Sequence, residues 1–286
     1  MIKLDVYVSP YKPTVSVLPE WNTAEQATWP ASSVSLLTGE EEAVLIDALI
    51  TFAEAELVVE WIRATGKELV TVYITHGHGD HFFGLNTILA AFPEAKAVAL
   101  PEVVPFAQEQ VSPGYMSFWN RSFPNQIPEH PRVPERMQGS VIVLEGHELR
   151  PIMIGQSDTA PSSVVHIPDL DAVVGGDVAY NGIHCWLAQT DHEKREAWIA
   201  SLDRIAALNP RIIVAGHKAP DARDDDPQAI LTATKTYIRD FDQLVTESAT
   251  PKELIDRMMQ LHRERGNPYT LWTAAYGVSE QLAAKA

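Results

Sequence analysis

The residues best placed to do chemistry are Thr75-His76-Gly77-His78-Gly79-Asp80-His81, three imidazoles and a carboxylate within six positions. Such crowding is unfavourable unless the groups share a cation, because imidazole and carboxylate are both lone-pair donors. Gly77 and Gly79 remove side chains between the donors, so the backbone can curl tightly around an ion. A mixed nitrogen and oxygen donor set suits Zn²⁺, with Fe or Mn as alternatives. A polar turn in which the histidines merely cap a helix would explain one of them, not the whole group.

The elements that position this cluster follow from apolar periodicity. Ser33 to Thr38 and Ala43 to Asp47 are β-type runs, joined by Gly39-Glu40-Glu41-Glu42 as a hairpin turn. Leu57, Val58, Trp61 and Ile62 stand at helical spacing in Ala53 to Thr65, and Gly66 is a natural C-cap. Leu69 to Thr75 reads as a buried strand that delivers the cluster at its end, followed by a helix over His81 to Phe92 and a strand over Ala95 to Leu100. Pro101 to Met137 holds seven prolines together with Tyr115, Phe118, Trp119 and Phe123. Repeated prolines forbid a long regular element there, so a loop that serves as a lid or substrate wall is expected. Further β-type runs cover Val141 to Leu144, Leu149 to Ile154, Ser163 to Ile167, Ala172 to Gly175 and Arg211 to Ala215. Asp191 to Leu208 is an amphipathic helix, and the chain is helical from Pro227 onward. Two sheets packed together with helices outside satisfy this order.

H-x-H-x-D-H resembles the signature of the metallo-β-lactamase superfamily of metal-dependent hydrolases. The likeness continues downstream: Val173-Val174-Gly175-Gly176-Asp177 resembles the strand ending in a bridging aspartate, and Ile213-Val214-Ala215-Gly216-His217 the late strand ending in a Gly-His ligand. Leu45-Ile46-Asp47 matches the family's second-strand pattern, so order and spacing agree from about Ser33 to Lys218. The resemblance implies a four-layer αββα sandwich over residues 1–226, with residues 227–286 as a helical accessory region packed on the same domain.

It also implies two metal positions. One would use His76 and His78, the other Asp80, His81 and His217, with Asp177 between them. The family's Gly-His-Ser/Thr turn supplies a third imidazole to the first position. Here the matching segment is Gly155-Gln156-Ser157-Asp158-Thr159, with Gln156 where histidine is expected. A neutral amide is a poorer zinc ligand than imidazole. Either Gln156 or Asp158 then completes the first position, or it is weak or empty, and one or two Zn²⁺ per chain follow. The implied reaction is attack of a metal-activated hydroxide on a carbonyl, with Asp80 holding the nucleophile and moving its proton. Tyr180, Asn181 and His184, shortly after Asp177, are candidates to stabilise the oxyanion or hold the substrate. Tyr115, Phe118 and Trp119 are candidate pocket walls, as are the tail aromatics Tyr269, Trp272 and Tyr276, although core packing explains the tail equally well.

Charge narrows the partners. The chain has 286 residues and a formal net charge of -16. Such a surface repels phosphate backbones and anionic membranes, which excludes nucleic-acid readers and disfavours RNase-type members of the family. Cys185 is the only cysteine, so no intrachain disulfide forms, and it reads as a small buried residue rather than a nucleophile. With no signal-peptide pattern and no apolar run near the ~20 residues of a membrane span, a cytoplasmic protein is expected. The expected substrate is a small ester, lactone, thioester or amide, as in the lactonase and glyoxalase II branches; a homodimer is left open. Two other readings stay in play: a mononuclear-iron oxidoreductase of the persulfide dioxygenase kind, and a binding protein whose first metal position is impaired.

Overall fold

The structure is a computed structural model that describes residues 1–21 and 25–283; residues 284–286 of the expected helical region lie outside it. The chain opens with β1 (Lys3–Val8), a short pair β2 (Lys12–Pro13) and β3 (Thr28–Trp29), and the hairpin β4 (Ser33–Thr38) and β5 (Glu42–Ile46). There follow α1 (Phe52–Thr65), β6 (Glu68–Tyr73), α2 (Leu85–Ala91), β7 (Lys96–Ala99), α3 (Val104–Gln110), α4 (Pro113–Ser122) and β8 (Glu135–Arg136). The second half comprises β9 (Ile142–Leu144), β10 (His147–Gly155), β11 (Ser162–Ile167), β12 (Ala172–Asn181), α5 (His192–Ala207) and β13 (Ile212–Lys218). Helices α6 (Pro227–Glu247), α7 (Pro251–Leu261), α8 (Pro268–Gly277) and α9 (Ser279–Ala283) complete it.

One sheet has the order β1-β4-β5-β6-β7-β8, the other β13-β12-β11-β10-β9. Strand alternation explains how both faces of each sheet are buried. On β5, Val44 and Ile46 point to the core between the sheets, while Ala43 and Leu45 point to the helices α1 and α2. Val174 and Val214 of the second sheet enter the same inter-sheet core, and Val173 and Ile213 face α5 and α6 instead. The result is the expected four-layer sandwich. Helix α1 starts in a Thr51/Glu54 capping box and ends on Gly66 in the left-handed region, as its spacing indicates. The C-terminal helices share one core with the second sheet: Tyr237 and Phe241 of α6 and Leu271 of α8 pack with Trp198 and Val173.

Three expectations are corrected. The segment 101–137 is not devoid of regular structure, since α3 and α4 form within it. Pro105 and Pro113 sit in their first turns, where a missing N–H costs nothing. The helix expected from His81 begins only at Leu85, because Gly79–His81 is a 3₁₀ turn. Strand β12 runs past Gly175 to Asn181, because it keeps pairing with β13 through two register shifts.

Candidate metal centre

The two sheets are stitched together at one end of the sandwich. His76, just beyond β6, bridges to Ser162 of β11, and Ser32, just before β4, bridges to His217 of β13. The Ser33 hydroxyl donates to the Ala215 carbonyl at 2.7 Å and the Ser163 hydroxyl to the Thr75 carbonyl at 2.6 Å. Segments carrying histidine and aspartate donors from both sheets therefore end side by side. Two glycines make the approach possible: a Cβ on Gly216 would lie 2.3 Å from the Asp177 carboxylate, and one on Gly77 2.7 Å from the Ala107 nitrogen of α3. The role of Gly77 is thus to admit α3 rather than only to let the loop curl.

Seven buried side chains converge there, as His76, His78, Asp158 and Asp177 in one group and Asp80, His81 and His217 in the other. Asp177 lies between the groups: its carboxylate is 3.6 Å from His76 Nε2, 3.2 Å from His81 Nε2 and 3.2 Å from His217 Nε2. Asp158 Oδ2 is 3.2 Å from His78 Nδ1, and Asp80 Oδ2 is 3.4 Å from His217 Nε2. His76 Nε2, His81 Nε2 and Asp177 Oδ1 are buried yet make no hydrogen bond. Buried polar atoms are normally paired, so these orphans fit a cation better than a purely structural network.

Outer partners orient these donor groups. His81 Nδ1 is 2.9 Å from Asp47 Oδ2, and Asp47 also accepts from the Thr75 backbone N–H at 2.9 Å. Asp47 does this from the left-handed region (φ 64°), strain that the surrounding hydrogen bonds offset. His76 Nδ1 sits 3.1 Å from the Thr75 hydroxyl, and His217 Nδ1 3.3 Å from the Ala31 carbonyl. A second nitrogen held by carboxylate, hydroxyl or carbonyl is how metal-ligating histidines are aimed. The Trp29 indole N–H donates to Asp80 Oδ2 at 2.9 Å, and the Tyr180 hydroxyl to Asp177 Oδ2 at 3.3 Å.

Charge balance supports the same reading. Burial pushes His76 down to about 3, and the neighbouring His81 adds to this. Burial is the largest influence on His217 and His81 and opposes their charge, but the surrounding carboxylates together outweigh it, Asp177 first, raising His217 to about 9 and His81 well above its ordinary value. For Asp177 and Asp80 burial works against ionisation, and the imidazoles beside them prevail, holding both carboxyls well below the usual range. The cluster keeps its carboxylates ionised and draws positive charge; a divalent ion would take the place of protons.

A cavity of about 720 Å³ opens from this cluster, reached by His78, Asp80, Asp158, Asp177 and His217. Tyr115, Phe118 and Trp119 line it, and so do Tyr180 and the tail residues Tyr269 and Tyr276. Trp272 does not; it packs against Trp21 and Tyr276. Gln156 is half-buried and does not line the cavity, and its Nε2 donates to the Ser157 carbonyl at 2.9 Å. Gly155, at φ 105°, ends strand alternation, so residue 158 and not 156 turns inward, with its carboxylate held by the Ser157 hydroxyl at 2.9 Å.

His184 and Asn181 do not reach the cavity. Gly182, at φ 74°, turns the chain away, so His184 Nδ1 meets the Tyr237 hydroxyl at 3.0 Å and Asn181 donates to the Arg223 carbonyl. Neither is placed to stabilise an oxyanion. Cys185 is buried, and burial pushes its thiol up to about 12, in keeping with an inert residue. Trp29 and Trp186, the latter 5.3 Å from the His78 ring, escaped the sequence reading because no spacing links them to the motif.

Comparison with known proteins places these features in a family. The model of the metallo-β-lactamase superfamily matches residues 27–217. A hydroxyacylglutathione hydrolase of Francisella tularensis subsp. holarctica is 29% identical over 102 residues, 33% of this chain and 39% of that protein. The match thus spans well under half the length of those hydrolases. A metallo-β-lactamase type 2 of Bacteroides fragilis is 23% identical over 189 residues, covering 65% of this chain and 68% of that one. A metallo-β-lactamase family protein from Thermus thermophilus superposes with a TM-score of 0.63 at 17% identity, covering 98% of this chain and 93% of that one. Among the described residues, no helix is long and apolar enough to cross a membrane.

Proposed function

The chain belongs to the metallo-β-lactamase superfamily, and from that premise we propose that it is a metal-dependent hydrolase of a small ester, lactone, thioester or amide. The observation that carries this is the buried seven-residue cluster with unpartnered donor atoms at the foot of a deep cavity. In this reading His76, His78, Asp158 and Asp177 hold one ion, and Asp80, His81 and His217 hold a second, with Asp177 shared. Zn²⁺ fits the imidazoles; the two carboxylates of the first position also suit Fe or Mn. Such ions supply an acidified water and polarise the carbonyl.

The protein's own groups do the rest. Asp80 lies at the cavity floor with one oxygen steadied by Trp29, which leaves its carboxylate oriented to take a proton from the attacking water. As the water oxygen bonds to the acyl carbon, the bond from that carbon to the leaving group breaks, and the proton passes from Asp80 to the departing atom. Tyr180 steadies Asp177, and the aromatic walls exclude bulk water.

The test is a panel of esters, lactones, thioesters and amides, with oxygen uptake followed in parallel. Thioesters belong in it because of the Francisella relatives, whose name is that of a thioester hydrolase. Turnover of at least one acyl substrate without oxygen uptake is expected. Stoichiometric iron with oxygen uptake and no hydrolysis would overturn the reading in favour of an oxidoreductase.

A further inference from the structure

The cavity walls say more about the substrate than the metal cluster does. Beyond the cluster they are built of Phe118, Trp119, Tyr269 and Tyr276, with Trp29 and Trp186 standing next to it. Helix α8 and the segment holding Val17 and Leu18 line the cavity together with α4, so elements from both ends of the chain contribute. The remaining polar positions, among them Gln110, Ser112, Gln189 and Thr273, are neutral, and Gln110 already accepts the Trp119 indole N–H at 3.0 Å. Among the described residues that line the cavity there is no lysine or arginine, while three aspartates, Asp80, Asp158 and Asp177, face it.

Resting on the hydrolase reading, we propose that the substrate is an uncharged acyl compound whose carbonyl meets the cluster and whose long apolar or aromatic arm fills the cavity. The corollary is discrimination against acyl compounds that carry a carboxylate remote from the carbonyl. A neutral arm gains from burial, at up to roughly fourfold in affinity per methylene. A remote carboxylate would be stripped of water against aromatic walls with no cation to pair it. About 720 Å³ is ample for an arm of eight or more carbons, within the ~300–1,000 Å³ of ordinary ligand sites.

A matched set of 4-nitrophenyl esters tests this on the metal-loaded enzyme: acetate, butanoate, octanoate and the octanedioate monoester, which differs from octanoate by its terminal carboxylate. Octanoate is expected to exceed both butanoate and the octanedioate monoester in kcat/KM by about tenfold or more. Thr273→Lys, which adds an ammonium to the cavity face of α8, is expected to shrink the preference for octanoate over octanedioate several-fold. Equal rates for the two eight-carbon esters, or an unchanged preference in Thr273→Lys, would overturn the inference. If acetate is hydrolysed and chain length brings no gain, the inference fails while the hydrolase reading stands. If no ester is hydrolysed, the hydrolase reading is decided by the wider panel of lactones, thioesters and amides, and the cavity is tested by binding alone. Octanamide and octanedioic acid monoamide are then titrated against tryptophan fluorescence, reported by Trp29, Trp119 and Trp186. Tighter binding of octanamide supports the assignment, and equal or weaker binding overturns it.

Discussion

Replacing Asp158 with alanine is expected to lower the metal content of the purified protein from two ions per chain to one, whereas Gln156→Ala is expected to leave it at two. Asp158 is buried and 3.2 Å from His78 Nδ1, in one group with His76 and Asp177. Losing one of four donors removes a charge as well as a bond, and affinity at the first position is expected to fall by about 100-fold or more. Gln156 is half-buried, lies off the cavity lining and directs its Nε2 to the Ser157 carbonyl. Elemental analysis after dialysis against metal-free buffer reads the difference. Equal loss in both variants, or loss in Gln156→Ala alone, would assign the donor to the wrong residue. A harder donor set at this position is also expected to make it accept Mn²⁺ or Fe²⁺ more readily than a three-histidine site would.

Asp80→Asn should abolish most turnover while leaving the fold intact. The amide keeps the shape of the side chain and an oxygen for the Trp29 N–H, so little packing is disturbed. What it removes is a negative ligand 3.4 Å from His217 Nε2 and the base at the cavity floor. A loss of about 10³ in kcat/KM, roughly 4 kcal/mol of transition-state stabilisation, is expected. The same variant should melt within a few degrees of the parent. A variant that retains full turnover would remove Asp80 from the reaction; one that fails to fold would assign it a structural role instead.

The legible part of the site was local in sequence. His76, His78, Asp80 and His81 announce themselves because one loop carries them, and β4, β5 and β6 show the apolar runs that their burial demands. Asp177 and His217 were legible through their order along the chain and lie within the cluster in space. Asp158 against Gln156 could not be settled from spacing, since the positive φ of Gly155 breaks the alternation on which such an argument depends. The Trp29 contact joins residues 51 positions apart, and nothing local in either segment marks it. His184 misled because proximity to Asp177 in sequence ignores the turn at Gly182. The helices α3 and α4 were hidden by prolines, which are breakers in a helix interior but compatible with its first turn. The tail aromatics divide between cavity and packing because α8 has one face on each.

Ions bound at the His/Asp cluster are expected to drive hydrolysis, which is checked by stripping the protein with a chelator and titrating Zn²⁺ back while following an acyl substrate that the native protein cleaves. Activity should vanish in the stripped protein and return with added metal, reaching its plateau at two ions per chain. Undiminished hydrolysis by metal-free protein would contradict the account.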